Sequence, residues 1–200
     1  MRISDDRYDR DRLRLDVAMR FIRHEARTRT IRLWTGLSDD RIRRLYHAYL
    51  QEGGRTTRHR GQSPQQATYF LRTTRMRGEA SALASLCSLV GLFDRQIQMP
   101  RQLNDVGRGD SLCRAYDVYL AEVRCPAITF DYAALLVSAL ERGSVLRLGD
   151  CQGCGALLVI DSLGLRPSCC SLCSTRTPGR GHPGSPFTLP KCHSSNARPR

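Results

Sequence analysis

Two cysteine pairs, Cys151-Gln-Gly-Cys154 and Cys170-Ser-Leu-Cys173, stand fifteen residues apart near the end of this 200-residue chain. The C-x2-C…C-x2-C spacing lets four sulfurs converge on one tetrahedral ion, each about 2.3 Å away when the ion is zinc. Between the pairs the chain has only to fold back once. Residues 144–149 (Ser-Val-Leu-Arg-Leu-Gly) lead in, 156–160 (Ala-Leu-Leu-Val-Ile) lead out and 161–167 supply the turn, so the pattern predicts a small β-hairpin clipped by zinc. Gly153 and Gly155 permit a tight knuckle after the first pair. Four thiolates fill the coordination shell, so the expected ion is structural and not catalytic. The alternatives are disulfides or a redox-active C-x2-C of the thioredoxin kind, but there are two pairs at ribbon spacing and no βαβ pattern around either. Cys169 precedes Cys170 and could compete as a ligand, although only Cys170 makes C-x2-C with Cys173.

Nine cysteines is an odd number, and the first residues, Met-Arg-Ile-Ser-Asp-Asp-Arg, hold no apolar stretch of the kind a secretion signal requires. The expected location is the cytoplasm, with reduced thiols. Cys87, Cys113 and Cys125 sit among apolar positions at helical spacing and read as small core residues. Cys192 and His193, with His182, are candidates for a second metal patch, but the Gly, Pro and Ser around them offer no scaffold. No run approaches the ~20 apolar residues of a membrane span, so no membrane partner is expected.

The net charge of +13 is unevenly spread. Residues 41–77 carry nine Arg against one Glu, and residues 174–200 carry four Arg and Lys191 with no acid, while the remainder is nearly balanced. Such a block is a footprint for nucleic-acid phosphates, and binding through it should depend on salt. All but one of the 32 basic residues are Arg, which codon bias would explain; codon bias does not explain the clustering.

Leu13, Val17, Ala18, Phe21, Ile22 and Ala26 recur at helical spacing, with Arg14, Asp16, Arg20, Arg23 and Arg27 on the other faces, predicting an amphipathic helix of about four turns from Leu13. Residues 30–46 then have the layout of a helix-turn-helix. Gly36 stands at the turn, Ser38 can cap the second helix, and Asp39 and Asp40 fall in its first turn. A second helix over 39–50 would bury Ile42, Leu45, Tyr46 and Tyr49 and present Asp40, Arg43, Arg44, His47 and Gln51. Arg and Gln can pair with guanine and adenine edges in the major groove, which makes this a candidate recognition helix, with Arg41 near its start able to reach base or phosphate. Arg32 occupies the place where such units usually hold a small residue, and an ordinary helical hairpin with a basic outer face is the alternative. Arg55, Arg58 and Arg60, in the Gly-flanked connector over 53–61, are candidate phosphate contacts.

Helices are expected at 65–77 and 79–92 with Gly78 as a break, a loop around 99–109, then helices at 111–123 and 129–142, the last closed by Gly143. The reading is a mostly α protein: a helical DNA-binding and oligomerisation domain over 1–143 with a helix-turn-helix-like unit, a small C-terminal zinc ribbon over 144–175, and a disordered basic tail over 176–200. There is no Gly-rich phosphate loop followed by Lys, no H-E-x-x-H and no G-x-S-x-G, so an enzyme is not the expected reading.

This order of elements resembles the family of the flagellar transcriptional activator subunit FlhC. Leu37-Ser38 with Ile42-Arg-Arg-Leu45-Tyr46 is similar to that family's Leu-Ser…Leu-Ile-Lys-Leu-Tyr segment, and Arg114-Ala115-Tyr116 with Tyr119-Leu120 to its Lys-Ala-Tyr-Arg-Leu-Tyr-Leu helix. Residues 146–173, with Cys-x2-Cys-Gly and Cys-Ser-Leu-Cys, are similar to its metal ribbon. The match spans most of 13–173. The family's Trp-rich middle motif is present only as Ala67-Thr-Tyr-Phe-Leu71, its Pro-rich connector has become residues 53–62, and its tail is shorter and Gly/Pro-rich here. The resemblance implies an activator bound to double-stranded DNA upstream of flagellar promoters, in a hetero-oligomer with an FlhD-type subunit and in contact with RNA polymerase. It places the zinc ligands at Cys151, Cys154, Cys170 and Cys173. Alternatives are a divergent paralogue regulating other genes, a zinc-ribbon adaptor that binds RNA or protein, and a thiol oxidoreductase using one C-x2-C pair.

Overall fold

The computed structural model describes residues 3–54, 62–93, 105–164 and 169–174. Helix α1 spans Ile3–Arg23, ten residues earlier than its apolar face begins. Arg and Asp alternate over that first half, as in the Arg14–Asp11 pair at 3.4 Å, and such spacing supports helix where no core does. The helix ends at Glu25, in the left-handed region at φ 58°, with the Ala26 N–H returning to the Phe21 carbonyl at 2.9 Å and the Glu25 N–H to Ile22 at 3.0 Å. These are the two bonds of a Schellman ending.

Helices α2 (Thr28–Thr35) and α3 (Asp39–Gln51) follow, joined by Gly36 at φ 69°. Ile31, Leu37 and Ile42 are buried with Phe21 and Ile22 of α1, so the first three helices close on one core. Arg32 does not lie under α3: its side chain is about half exposed and reaches Asp39 at 3.5 Å. A 3-10 turn at Ala67–Leu71 and helix α4 (Thr74–Leu89) replace the two helices expected over 65–92. Thr73 is extended and caps α4, accepting the Met76 N–H at 3.1 Å, which puts the break at Thr73. Gly78 continues the helix, exposed and with open space where a Cβ would be.

Helix α5 (Asp105–Glu122) starts inside the expected loop. Its Gly109 is buried, and a Cβ there would stand 2.8 Å from Val17 Cγ1, so α1 and α5 approach as they do because that residue has no side chain. Helix α6 (Phe130–Arg142) ends at Gly143 with φ 63°. Strands β1 (Leu146–Asp150) and β2 (Leu157–Asp161) pair antiparallel from Leu146 opposite Asp161 to Asp150 opposite Leu157. The single turn α7 (Ser171–Ser174) completes the described chain.

The hairpin lies against α4 and α6, and Leu146 and Val159 belong to the same buried cluster as the helices. Ser81 Oγ of α4, itself buried, accepts the Val159 N–H of β2 at 2.9 Å and donates to Arg77 O at 2.7 Å. Cys87 and Cys113 are free thiols in the core; Cys125, against the expectation of a reduced core thiol in a helix, is half-buried in the loop after α5 and disulfide-bonded. Among the described residues no helix is long and apolar enough to cross a membrane.

Candidate functional site

The tip of the hairpin is the first knuckle. The Cys151 N–H bonds Ala156 O at 2.8 Å and the Gly155 N–H bonds Cys151 O at 2.8 Å, with Gly155 at φ 69°. The hairpin therefore turns at 151–155, between β1 and β2, and not at the 161–167 segment that the sequence predicts for the turn. At the second pair the Cys173 and Ser174 N–H groups both point at Cys170 O, at 3.1 and 2.9 Å, and wind Ser171–Ser174 into one helical turn.

The two knuckles bring Cys151, Cys154, Cys170 and Cys173 together, with all four sulfurs within 4.8 Å of one another. Cys154 Sγ and Cys170 Sγ are 3.8 Å apart. A tetrahedron with metal–sulfur bonds of about 2.3 Å has edges of about 3.8 Å, so the pocket between these sulfurs has the right size for such an ion. A disulfide, near 2.05 Å, does not fit that spacing, and all four are free thiols. Gly153 is required by the closure, since a Cβ there would lie 2.9 Å from both Cβ and Sγ of Cys173. Cys169 is exposed and stands outside the cluster.

The thiols do not behave alike. Backbone N–H groups of Cys170 (3.2 Å), Gly153 and Cys154 point at Cys151 Sγ and pull its pKa down to about 6. Cys173 is pushed up to about 12, chiefly by hydrogen bonding to the neighbouring sulfurs of Cys170 and Cys154. Cys154 is also raised: the Ala156 N–H that favours its thiolate is outweighed by the sulfurs beside it. The site thus favours a negative charge on Cys151 and resists one on Cys154 and Cys173, which is the demand a bound cation meets. Cys151 is buried, Cys170 and Cys173 are half-buried and Cys154 is exposed, so the cluster sits at the surface.

The second group of candidate residues lies on α3. Ser38 caps it, accepting the Arg41 N–H at 3.4 Å, and Ile42 and Tyr46 are buried while Leu45 and Tyr49 are half-buried. The Tyr46 hydroxyl donates to Ala26 O and ties α3 to the end of α1. Asp40, Arg43, Arg44, His47 and Gln51 share the outer stripe with Arg41 beside it, all exposed. Arg43 reaches Asp40 at 3.1 Å across solvent-exposed surface; Arg41 and Arg44 have no carboxylate partner among the described residues. Arg55, Arg58 and Arg60, like His182, Cys192 and His193, lie outside the described residues.

The sequence reading missed what fixes this unit to the body. Asp131, in the first turn of α6, is buried and accepts the Arg27 N–H at 3.1 Å, Arg27 Nη1 at 2.8 Å and the Thr30 hydroxyl. In the sequence its only signal is an acid after Thr129 at a helix start.

Fold and site define a mostly helical protein with a small two-stranded ribbon and four cysteines that could hold a metal ion. Neither a scan against protein-family models nor a search of the curated proteins returns a match for this chain.

Proposed function

We propose that this chain is a DNA-binding transcriptional regulator that lays α3 in the major groove and carries one structural zinc ion on Cys151, Cys154, Cys170 and Cys173. The single observation supporting the DNA reading is the outer stripe of α3. Arg43, Arg44, His47 and Gln51 are exposed together on a helix whose opposite side is packed, capped and held at its turn by Gly36. Each bidentate Arg–guanine or Gln–adenine pair is worth about 1–3 kcal/mol of discrimination. The Arg43–Asp40 pair is worth at most about 1 kcal/mol at such exposure, so it exchanges readily for a base or phosphate.

Zinc supplies charge neutralisation and a cross-link between the two knuckles, and four sulfur ligands leave it no open position for catalysis. The likeness of the three segments to FlhC, in the same order, supports the finer reading: an activator of motility genes, acting in the cytoplasm with an FlhD-type subunit and RNA polymerase.

Replacing Arg43 and Arg44 with Ala should weaken binding to a selected operator by roughly 10- to 100-fold and flatten its salt dependence. Unchanged affinity in a folded double variant removes α3 from the reading. Co-purification with a co-expressed FlhD-type subunit tests the partner; protein that comes down alone, loaded with zinc, points to a stand-alone nucleic-acid binder.

A further inference from the structure

Among the described residues, most ion-paired arginines are neutralised within the fold. Arg20, Arg27, Arg75 and Arg114 each have a carboxylate within 4.0 Å. Arg72, just after the 3-10 turn, is fixed in a different way. Its Nη2 donates to Gln66 Oε1 at 3.1 Å, and its guanidinium carbon lies over the Tyr69 ring, 5.7 Å from the centroid. Tyr69 is itself stacked on Tyr132 of α6, with centroids 4.2 Å apart and planes at 23°. Both of these partners are neutral. The fork is therefore oriented while its charge stays uncompensated, and the side chain is exposed. Arg77, exposed further along α4, likewise has no carboxylate partner among the described residues.

We infer that Arg72, oriented by Gln66 and the Tyr69–Tyr132 stack, and Arg77 form a second DNA contact that binds backbone phosphates of duplex DNA, separate from the face of α3. The inference rests on the reading of the chain as a duplex-DNA binder. A planar guanidinium matches phosphate oxygens in a bidentate fashion, and holding it in place beforehand reduces the side-chain entropy lost on contact. The stretch from 41 to 77 has one Glu for nine Arg, and Glu79, just beyond it, is taken by Arg75, which leaves Arg72 and Arg77 without a carboxylate partner among the described residues. Tyr69 already has Tyr132 and Arg72 as ring partners, so the patch offers charge more than an open stacking platform for an unpaired base. Contacts of this kind hold and orient the protein without reading sequence.

The test is fluorescence anisotropy of the full chain with labelled duplexes of unrelated sequence over a salt series. Wild type is compared with Arg72→Gln, Arg72→Lys, Arg77→Gln and the control Arg114→Gln, whose charge is already met by Asp110. Arg72→Gln and Arg77→Gln should each lower affinity equally for every sequence and flatten the slope of log K against log salt by about 0.9, while Arg72→Lys and Arg114→Gln keep the wild-type slope. Wild type that binds duplex with unchanged slopes in folded Arg72→Gln and Arg77→Gln overturns this surface and leaves α3 standing. Wild type that binds no duplex overturns both readings. Tighter, Arg72-dependent binding to single-stranded RNA than to any duplex overturns the assignment to DNA.

Discussion

Asp131 and Thr30 are 101 positions apart in the chain and share a buried hydrogen bond, the Thr30 hydroxyl donating to Asp131 Oδ1. The other carboxylate oxygen takes Arg27 Nη1 at 2.8 Å, and the Asp131 side chain is 1% exposed against 21% for Arg27. One carboxylate on α6 therefore satisfies the entry of α2, and through it sets where the helix-turn-helix-like unit sits on the body. Replacing Asp131 with Ala strands an Arg charge, a hydroxyl and a backbone N–H, and should cost about 3 kcal/mol. Urea unfolding of the variant should show the loss as a lower midpoint; a midpoint within error of wild type would mean that the network carries no net stability.

Two glycines in helices should respond with opposite signs. Gly109→Ala places a Cβ 2.8 Å from Val17 Cγ1 between α1 and α5, an overpacking expected to cost about 1–3 kcal/mol. Gly78→Ala meets open space in the exposed part of α4 and should stabilise by about 0.5–1 kcal/mol through helix propensity. Thermal melts of the two single variants distinguish a packing requirement from a propensity effect.

His24 stacks on Phe130, 4.9 Å between centroids, with Tyr116 edge-on at 5.2 Å. Burial lowers its pKa below 6.5; Asp117, 3.0 Å from Nε2, works against that, while Arg20 and Arg23 add to it. The folded state thus prefers the neutral ring. The stability this contributes is present above about pH 6.5 and is lost as pH falls below it through the folded-state value. His24→Phe keeps a ring against Phe130 and removes the proton, so its unfolding midpoint should vary less than that of wild type between about pH 7.5 and 5. Parallel curves for the two proteins would remove His24 as the cause.

The seven free thiols among the described residues should sort by environment. Burial pushes Cys87 and Cys113 up to about 12, so both should resist alkylation near neutral pH until the protein unfolds, while exposed Cys169 reacts early. Metal analysis should give one ion per chain in wild type and in Cys169→Ser. Cys170→Ser should lose the ion and melt at a lower temperature. An ion retained in Cys170→Ser would move the ligand to Cys169.

The features readable in the chain were those whose signals are local. Ser38 before two acids, Gly36 in the turn and the period of Ile42, Tyr46 and Tyr49 are set by α3 alone, and they place its ends and faces within a residue of the structure. The four-sulfur cluster was readable for the same reason, since C-x2-C is a property of one turn. Gly78 and Gly109 misled because glycine marks a break only when nothing else decides. Here Thr73 caps α4 upstream of Gly78, and Gly109 answers to Val17 on another helix. Asp131 and Arg72 were missed on similar grounds: the first is defined by partners about a hundred positions away, and the second by an aromatic stack that spans two elements.

The Ser81–Val159 hydrogen bond has a consequence for how the protein is made. Helices α4 and α6 leave the ribosome before β1 and β2, which pack against them, and the acceptor on Ser81 waits for a donor 78 residues later. The interior cannot close until the second strand has been synthesised. A nascent chain stalled before that point would present open greasy surface to chaperones however complete α1 to α3 were.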